Sequence, residues 1–304
     1  MIMFNDLLQE TDLDVTILLP AFNEEAALPQ VIDDVNKVMK ATKYRYEILV
    51  VDDASKDRTA QIAESKGARL HQHVMQKGSG AARRTGVLQA RGEIIVVLDA
   101  DGTYSPQDIP SMLALFPKYD QVNGARTSEK GTLKLLRTPA KYLIRKLACY
   151  LSNTNIPDLN TGLKAFKREV MLKYLWVIPN GFSCVTTMTL AFLCNGYNVS
   201  WIPTAYHPRI GRSKFHPITD TYQYLLTVIR MVIYFNPLSV FMPAGTALLL
   251  AGILWWTYVK MTAGEGVFLG PTLVVLGCSL YVVGLLADLI VAQTKSIHYS
   301  HSSR

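Results

Sequence analysis

The chain has 304 residues, 49% of them hydrophobic, and a formal net charge of +7 with a pI of about 9.1. Its length exceeds the needs of one compact domain, and its basic balance suits nucleic acid, anionic lipid or a phosphorylated substrate. Because no basic helix with interleaved aromatic residues is found, we expect no nucleic acid partner. The four cysteines form no CxxC pair and no Cys/His metal spacing, which indicates a reducing compartment.

Short apolar runs alternate with helical patterns in the first third of the chain. Residues 14–20, 47–51 and 94–98 are nearly all apolar, which is typical of strands buried on both faces of a parallel sheet. A further short strand is expected near residues 69–71. Helices are predicted between these strands, over residues 26–39, 59–66 and 81–90. The alternation predicts an α/β fold with a doubly wound, mostly parallel sheet.

Acidic side chains follow three of these strands: Glu24, then Asp52 with Asp53, then Asp99 with Asp101. Because the carboxyl ends of parallel strands open on one edge of a sheet, we expect these acids to converge on one crevice. Two carboxylates two residues apart suit Mg²⁺ or Mn²⁺ that also binds substrate phosphates. Polar turns and helix capping are the alternative explanation for these acids. Acids at three strand ends that share one edge of the sheet favour a functional site.

Two loops carry weaker signals. Residues 77–80 read KGSG before a predicted helix, so backbone N–H groups near Lys77 could approach a phosphate, although an ordinary glycine turn fits equally well. Residues 207–215 contain Arg209, Arg212 and Lys214, and a solvated basic loop is the alternative there. Other elements are predicted in this half of the chain: strands over 121–126, near 166 and over 197–203, and a long helix over 133–151.

The last third of the chain is strongly apolar. Residues 218–235 mix apolar residues with polar breaks and tyrosines, which favours a helix lying in the membrane interface. Two uncharged runs of span length follow, at 238–258 and 268–287, with a turn at 262–266 between them. These runs predict a two-helix transmembrane hairpin.

The flanking charges predict the orientation of this hairpin. Arg230 precedes it and Lys295 and Arg304 follow it, so the positive-inside rule places both ends in the cytoplasm. No cleavable signal peptide is recognised, which also favours a cytoplasmic catalytic domain. A homo-oligomer is possible, because small residues such as Gly245 and Gly252 could pack between protomers, as could Gly277 and Gly284.

Three of the strand-end motifs resemble a known group of enzymes. Residues 19–25 (LPAFNEE), 51–57 (VDDASKD) and 99–101 (DAD) are similar to the opening motifs of inverting family 2 glycosyltransferases of GT-A fold. Residues 158–162 (DLNTG) and 209–214 (RIGRSK) resemble the polyprenyl-phosphate branch of that family, typified by dolichol-phosphate mannose synthase.

The resemblance, which covers residues 14–215, implies roles for individual residues. A nucleotide-diphosphate sugar would be held by Pro20, Phe22, Glu24, Asp52, Asp53, Lys77, Asp99 and Arg126. Mg²⁺ or Mn²⁺ would be bound by Asp99, Asp101 and Thr103, the last of which stands where the branch often has Gln. The acceptor phosphate would be bound by Arg137, Arg209, Ser213 and Lys214. Catalysis would rest on Asp101, Asp158, Arg209 and Lys214.

The sequence therefore predicts a metal-dependent enzyme that transfers a sugar from UDP-hexose or GDP-mannose to a polyprenyl phosphate, with inversion. A cytoplasmic GT-A domain is expected over residues 1–215, an amphipathic juxtamembrane segment over 216–237, and two transmembrane helices with a short cytoplasmic tail over 238–304. One alternative is a family 2 transferase with a glycolipid or polysaccharide acceptor, although no QxxRW-like motif is found. A non-catalytic membrane scaffold is the other, and the intact acids at three strand ends argue against it.

Overall fold

The computed structural model describes residues 12–127, 145–146, 148–149, 154–181, 183–209, 226, 229–231, 233–262 and 268–302, with side chains up to Gln293. The chain divides into two compact units, residues 1–228 and 229–304, and each is described by itself. The expected contributions of Arg137, Ser213 and Lys214 lie outside the described residues, as does most of the predicted helix over 133–151. The same holds for most of the predicted interfacial helix, although residues 229–231 and 233–235 are helical.

A seven-stranded sheet forms the centre of the first unit. Its strands are β1 (Val15–Ala21), β2 (Tyr46–Asp52), β3 (Arg69–Gln72), β4 (Ile94–Val97), β5 (Gln121–Arg126), β6 (Lys164–Lys167) and β7 (Val199–Thr204). Their order across the sheet is β3-β2-β1-β4-β6-β5-β7. Strand β6 runs antiparallel to both β4 and β5, whereas the other four pairings are parallel. The expected doubly wound, mostly parallel sheet is confirmed, and β6 is the one strand of this sheet that runs in the opposite direction.

Helices cover both faces of this sheet. They are α1 (Leu28–Met39), α2 (Thr59–Ser65), α3 (Ser79–Gln89), α4 (Ile109–Leu113), α5 (Arg168–Lys173) and α6 (Cys184–Leu193). Alternate residues of β1 point to opposite faces, so that Ile17 packs with α1 whereas Leu18 packs with α3 and α6. Strands buried on both faces need the continuous apolar runs seen in the sequence.

Two long helices make up most of the described part of the second unit: α7 (Leu238–Thr262) and α8 (Leu269–Ser302). Both are long and apolar enough to cross a membrane by length and composition, and both extend beyond the predicted runs. The buried residues of α7 are Gly245, Gly252 and Val259, one every seven residues. This spacing gives a single seam against α8.

The glycines of this seam are required inside the hairpin. A Cβ atom at Gly252 would lie 2.8 Å from the carbonyl oxygen of Gly270, and one at Gly277 would lie 2.9 Å from that of Gly245. The backbones of α7 and α8 therefore touch where only hydrogen fits. The expectation that these small residues pack between protomers is corrected, because the partner helix of the same chain occupies them.

Candidate active site

The acids at three strand ends come together, as expected from their place in a parallel sheet. The backbone N–H of Asp53 donates to the carbonyl of Ala21 at 2.9 Å, which ties the end of β2 to that of β1. Arg209 then joins β1 to β4, since its Nη2 lies 2.5 Å from Glu24 Oε1 and its Nε lies 3.4 Å from Asp101 Oδ2. The candidate site is thus an acidic crevice with a guanidinium across it.

Asp99 is held by a residue that the motif search missed. Arg83, on α3, donates to Asp99 Oδ1 at 2.5 Å, and the guanidinium is buried. Burial raises the pKa of Asp99, Arg83 opposes that rise, and the nearby Asp101 carboxylate adds to it. The net effect is a raised pKa for Asp99, because this carboxylate is removed from water and lies near a second carboxylate.

Asp101 is oriented by its neighbour. The backbone N–H and the hydroxyl of Thr103 both donate to Asp101 Oδ1, at 3.1 and 2.6 Å. Thr103 thus orients Asp101 with its hydroxyl proton directed at the carboxylate, and its role as a metal ligand stays a prediction. Asp101 itself keeps Oδ2 toward the crevice, where it meets Arg209.

The fit of a divalent ion follows from this donor set. Within the described residues, no three His, Cys, Asp or Glu side chains gather into a site built wholly of protein ligands. Asp99 and Asp101 instead offer two carboxylates at one strand end. Mg²⁺ usually takes one or two carboxylates and completes its shell with water and substrate phosphates, so these residues fit such an ion together with a diphosphate.

Asp52 and Asp53 shape the neighbouring loops. Asp52 accepts hydrogen bonds from Ser55 and from Gln72 Nε2, the latter at 2.9 Å. Asp53 accepts from the backbone N–H groups of Lys77 and Gly78 at 2.9 and 2.8 Å. The amides expected to cradle a phosphate therefore bind a protein carboxylate, while the Lys77 side chain stays exposed. Neither carboxylate caps the helix that follows.

A cavity of about 570 Å³ lies beside these loops. Phe22, Ser55, Gln72 and Met75 are among the residues that line it. This size is within the range of small-molecule pockets. Pro20 lies one strand away, in register with Val51 on β2.

Arg126 and Asp158 form a bidentate pair, with Nε–Oδ2 at 2.7 Å and Nη2–Oδ1 at 3.0 Å. Burial raises the pKa of Asp158, but the hydrogen bonds from Arg126 outweigh it and hold that pKa below its usual range. The Arg126 guanidinium also lies 5.3 Å from the ring centre of Tyr206. Asp158 is thus an ionised partner for an arginine.

The segment that leads to Arg209 is fastened to the end of β4. Tyr104 and Tyr206 form an isolated antiparallel bridge with ring centres 5.2 Å apart, and the His207 N–H donates to the Thr103 carbonyl at 2.9 Å. The position of Arg209 therefore depends on the same segment that carries Asp101.

Sequence reasoning also missed Lys164, which is fully buried on β6. Its ammonium donates to Asn123 Oδ1 at 3.1 Å and Thr189 Oγ1 at 2.6 Å, and burial lowers its pKa to about 7. A signal existed for both missed cations. Lys164 lies two residues before Phe166, so both side chains point to the same buried face of β6. Arg83 lies four residues before Val87, so both lie on the buried face of α3.

Comparison with known proteins identifies the family of this chain. A protein-family model described as Glycosyl transferase family 2 matches residues 16–175. The dolichyl-phosphate hexose transferase of Haloferax volcanii is 32% identical over 206 residues, which is 67% of this chain and 87% of that protein. Glycosyltransferase AglJ of the same organism is 30% identical over 297 residues, which is 91% of this chain and 94% of its own.

A solved structure shares the fold. Glucosyl-3-phosphoglycerate synthase from Mycobacterium tuberculosis, in complex with Mn²⁺, UDP-glucose and phosphoglyceric acid, superposes with a TM-score of 0.57 and 18% identity. The match covers 72% of this chain and 80% of that one. The sheet and helices are those of the GT-A fold, and the chain belongs to glycosyl transferase family 2.

Proposed function

We propose that this enzyme transfers a hexose from a nucleotide-diphosphate sugar to a polyprenyl phosphate, with inversion. The observation that carries the proposal is the contact of Arg209 with both Glu24 and Asp101. It brings the start of the basic loop to the strand ends where a donor diphosphate would lie. The name of the Haloferax volcanii dolichyl-phosphate hexose transferase supports the same class of reaction, and that of glycosyltransferase AglJ supports sugar transfer.

The donor side of the site is the crevice with its adjoining cavity. Phe22 and the loops shaped by Asp52 and Asp53 line the space proposed for the base and ribose of UDP or GDP. Pro20, Glu24 and Lys77 border the same strand ends, and Lys77 has an exposed ammonium for a phosphate.

A divalent ion, Mg²⁺ or Mn²⁺, would be held by Asp99 and Asp101 and would neutralise charge on the leaving diphosphate. A synthase of the same fold is solved with Mn²⁺ and UDP-glucose, which supports a divalent ion in the proposed reaction. Thr103 keeps Asp101 oriented toward the crevice.

The acceptor side needs cations more than a base. A lipid phosphate is ionised at pH 7, so one of its oxygens can attack the anomeric carbon while the bond from that carbon to the diphosphate breaks. We assign Arg209 to alignment of this phosphate, together with Arg137, Ser213 and Lys214. Asp158 holds Arg126 beside the reacting centre and removes no proton.

The hairpin of α7 and α8 is proposed to anchor the enzyme in the membrane, with the segment over residues 216–237 in the interface. We infer that the catalytic domain over residues 1–215 and both ends of the hairpin are cytoplasmic. The basic residues Arg230, Lys295 and Arg304 support this orientation. A homo-oligomer would use the exposed faces of these helices, since their glycine seam is already occupied.

The test is a transfer assay with the full-length protein in detergent micelles. UDP-glucose, UDP-galactose and GDP-mannose are each offered with dolichyl phosphate, undecaprenyl phosphate or a neutral glycolipid. We expect one donor to yield a polyprenyl-phosphate sugar whose anomeric configuration, measured by NMR, is inverted. Asp101→Asn is the inactive control. Transfer to the glycolipid alone would establish the alternative acceptor class, and nucleotide-sugar binding without any transfer would support a scaffold.

A further inference from the structure

Arg83 is a buried cation that contacts the Asp99 carboxylate. Its Nη1 donates to the Ser79 carbonyl at 3.1 Å and to Ser79 Oγ at 2.5 Å, and its Nη2 donates to Asp99 Oδ1 at 2.5 Å. Its side chain is 5% exposed. Within the described part of the chain, Nε has no hydrogen-bond partner, so the guanidinium is turned toward Asp99 at the expense of one of its own donors.

Stability does not explain this arrangement. Removing the Arg83 guanidinium from water carries a desolvation cost, and apolar replacements of buried ion pairs are often neutral or stabilising. An unsatisfied buried donor adds to that cost. Natural sequences depart from locally favourable choices mainly at functional sites, so the pair points to a task at Asp99.

The other side of Asp99 is closed as tightly. A Cβ atom at Gly162 would lie 2.0 Å from Asp99 Oδ2, so only glycine fits against this carboxylate. The Gly162 N–H donates to the hydroxyl of Tyr104 at 2.9 Å, which fixes the loop. Arg83 and Gly162 thus hold the carboxylate from two sides, while 30% of the Asp99 side chain stays exposed.

We propose that Arg83 is a positioning residue for the donor: it fixes the Asp99 carboxylate in the one orientation that a nucleotide-diphosphate sugar can use. The inference rests on the proposed function, in which Asp99 belongs to the donor site. A carboxylate fixed before the ligand arrives loses less conformational entropy on binding, so Arg83 strengthens donor binding without touching the donor.

The test is a double-mutant cycle on the full-length protein in detergent. Binding of UDP and of GDP, each with Mn²⁺, is measured by calorimetry for the wild type, Arg83→Gln, Asp99→Asn and the double variant. We expect Arg83→Gln to weaken binding of the preferred nucleotide about tenfold and to lower kcat/KM on the order of 10²-fold. In the Asp99→Asn background it should have no further effect, because Arg83 acts through Asp99. Arg83→Lys should restore part of the affinity.

The matched control is the next residue of α3. Arg84 donates to the Ile178 carbonyl and to Asn180, away from the acids, so Arg84→Gln removes the same charge and should leave affinity within about twofold. Thermal midpoints check folding, and Arg83→Met serves if Arg83→Gln is unstable.

Two results would overturn the inference: a folded Arg83→Gln with wild-type affinity, or equal losses in both backgrounds. If the wild type binds neither nucleotide, the proposed function itself fails, which is a distinct outcome.

Discussion

The two halves of the sheet are built differently. Strands β3, β2, β1 and β4 are parallel and come from consecutive strand–helix units, so that Glu24 and Asp101 reach one edge by topology alone. Strands β6, β5 and β7 include the antiparallel reversal, and this half brings Arg126 and Asp158 together. Regular strand–helix units therefore place the proposed donor side, whereas the reversal at β6 places the side opposite.

The largest effect is expected on the first half. Asp101→Asn should lower kcat by about 10³-fold or more, because the ion and the leaving diphosphate lose their carboxylate. Initial rates of sugar transfer with Mn²⁺ and in excess EDTA measure it, with thermal midpoints as a check on folding. Asp33→Asn, at an exposed pair with Lys66, is the control. Full turnover in EDTA would contradict the metal role.

The second half is probed by Asp158→Asn. It should lower kcat by about 10²-fold, because Arg126 is no longer held in place. It should also destabilise the fold by about 3 kcal/mol at pH 7, because a largely buried guanidinium loses the carboxylate charge of Asp158. The control is Asp120→Asn, which breaks the Lys167 pair at the other end of these strands and should spare kcat.

The stability part of this prediction depends on pH. The pKa of Asp158 is lowered in the folded state, so its contribution is present above the unfolded pKa of about 3.9 and is lost as the pH falls through the folded pKa. The difference in unfolding free energy between wild type and Asp158→Asn should therefore shrink in acid. A difference that stays constant down to pH 3 would show that the carboxylate charge is not responsible.

Gly162→Ala tests the junction of the two halves. The added Cβ would lie 2.0 Å from Asp99 Oδ2, so the carboxylate must move, and we expect about a tenfold loss of kcat/KM. Gly196→Ala is the control: its φ of +78° makes alanine strained, by about 1 kcal/mol, but nothing lies within 4 Å. Steady-state kinetics beside thermal unfolding separate the two effects. Unchanged kinetics in Gly162→Ala would mean that Asp99 needs no fixed orientation.

The smallest effect on catalysis is expected from Lys164→Met, whose measurable effect is on stability. The folded pKa of Lys164 is about 7, against an ordinary value of 10.5, so between these values the unfolded chain binds more protons. Wild-type stability should therefore rise with pH across this window, relative to Lys164→Met. Thermal unfolding at pH 7, 8, 9 and 10 measures this. Parallel curves for the two proteins would show that Lys164 keeps its proton.

Much of the first half could be predicted because its signals are local. Continuous apolar runs reveal buried strands, and an acid placed directly after each run must reach the shared edge of a parallel sheet. The prediction lost accuracy in the loops. The glycine turn before α3 looks like an anion cradle, and it is one, but the anion is Asp53 of the same chain.

The other half resisted prediction for physical reasons. That Arg126 meets Asp158 depends on β6 running backwards between β4 and β5, and no local pattern announces that reversal. Two buried cations also escaped prediction, Lys164 in this half and Arg83 on α3 of the first half, because a cation on a buried stripe is usually a solvated edge residue. Only the packed structure shows which carboxylate or amide receives each of them.

The seven-residue spacing of Gly245, Gly252 and Val259 has a consequence for how the hairpin can vary. The specificity of α7 for α8 is concentrated in one narrow seam, and most of its other side chains are exposed, Leu250 and Leu254 among them. A residue that faces hydrocarbon needs only to be apolar. Tolerance to substitution along α7 should therefore be lowest at every seventh residue and higher between these positions. The sequence of the hairpin can then vary while the packing of α7 against α8 is kept.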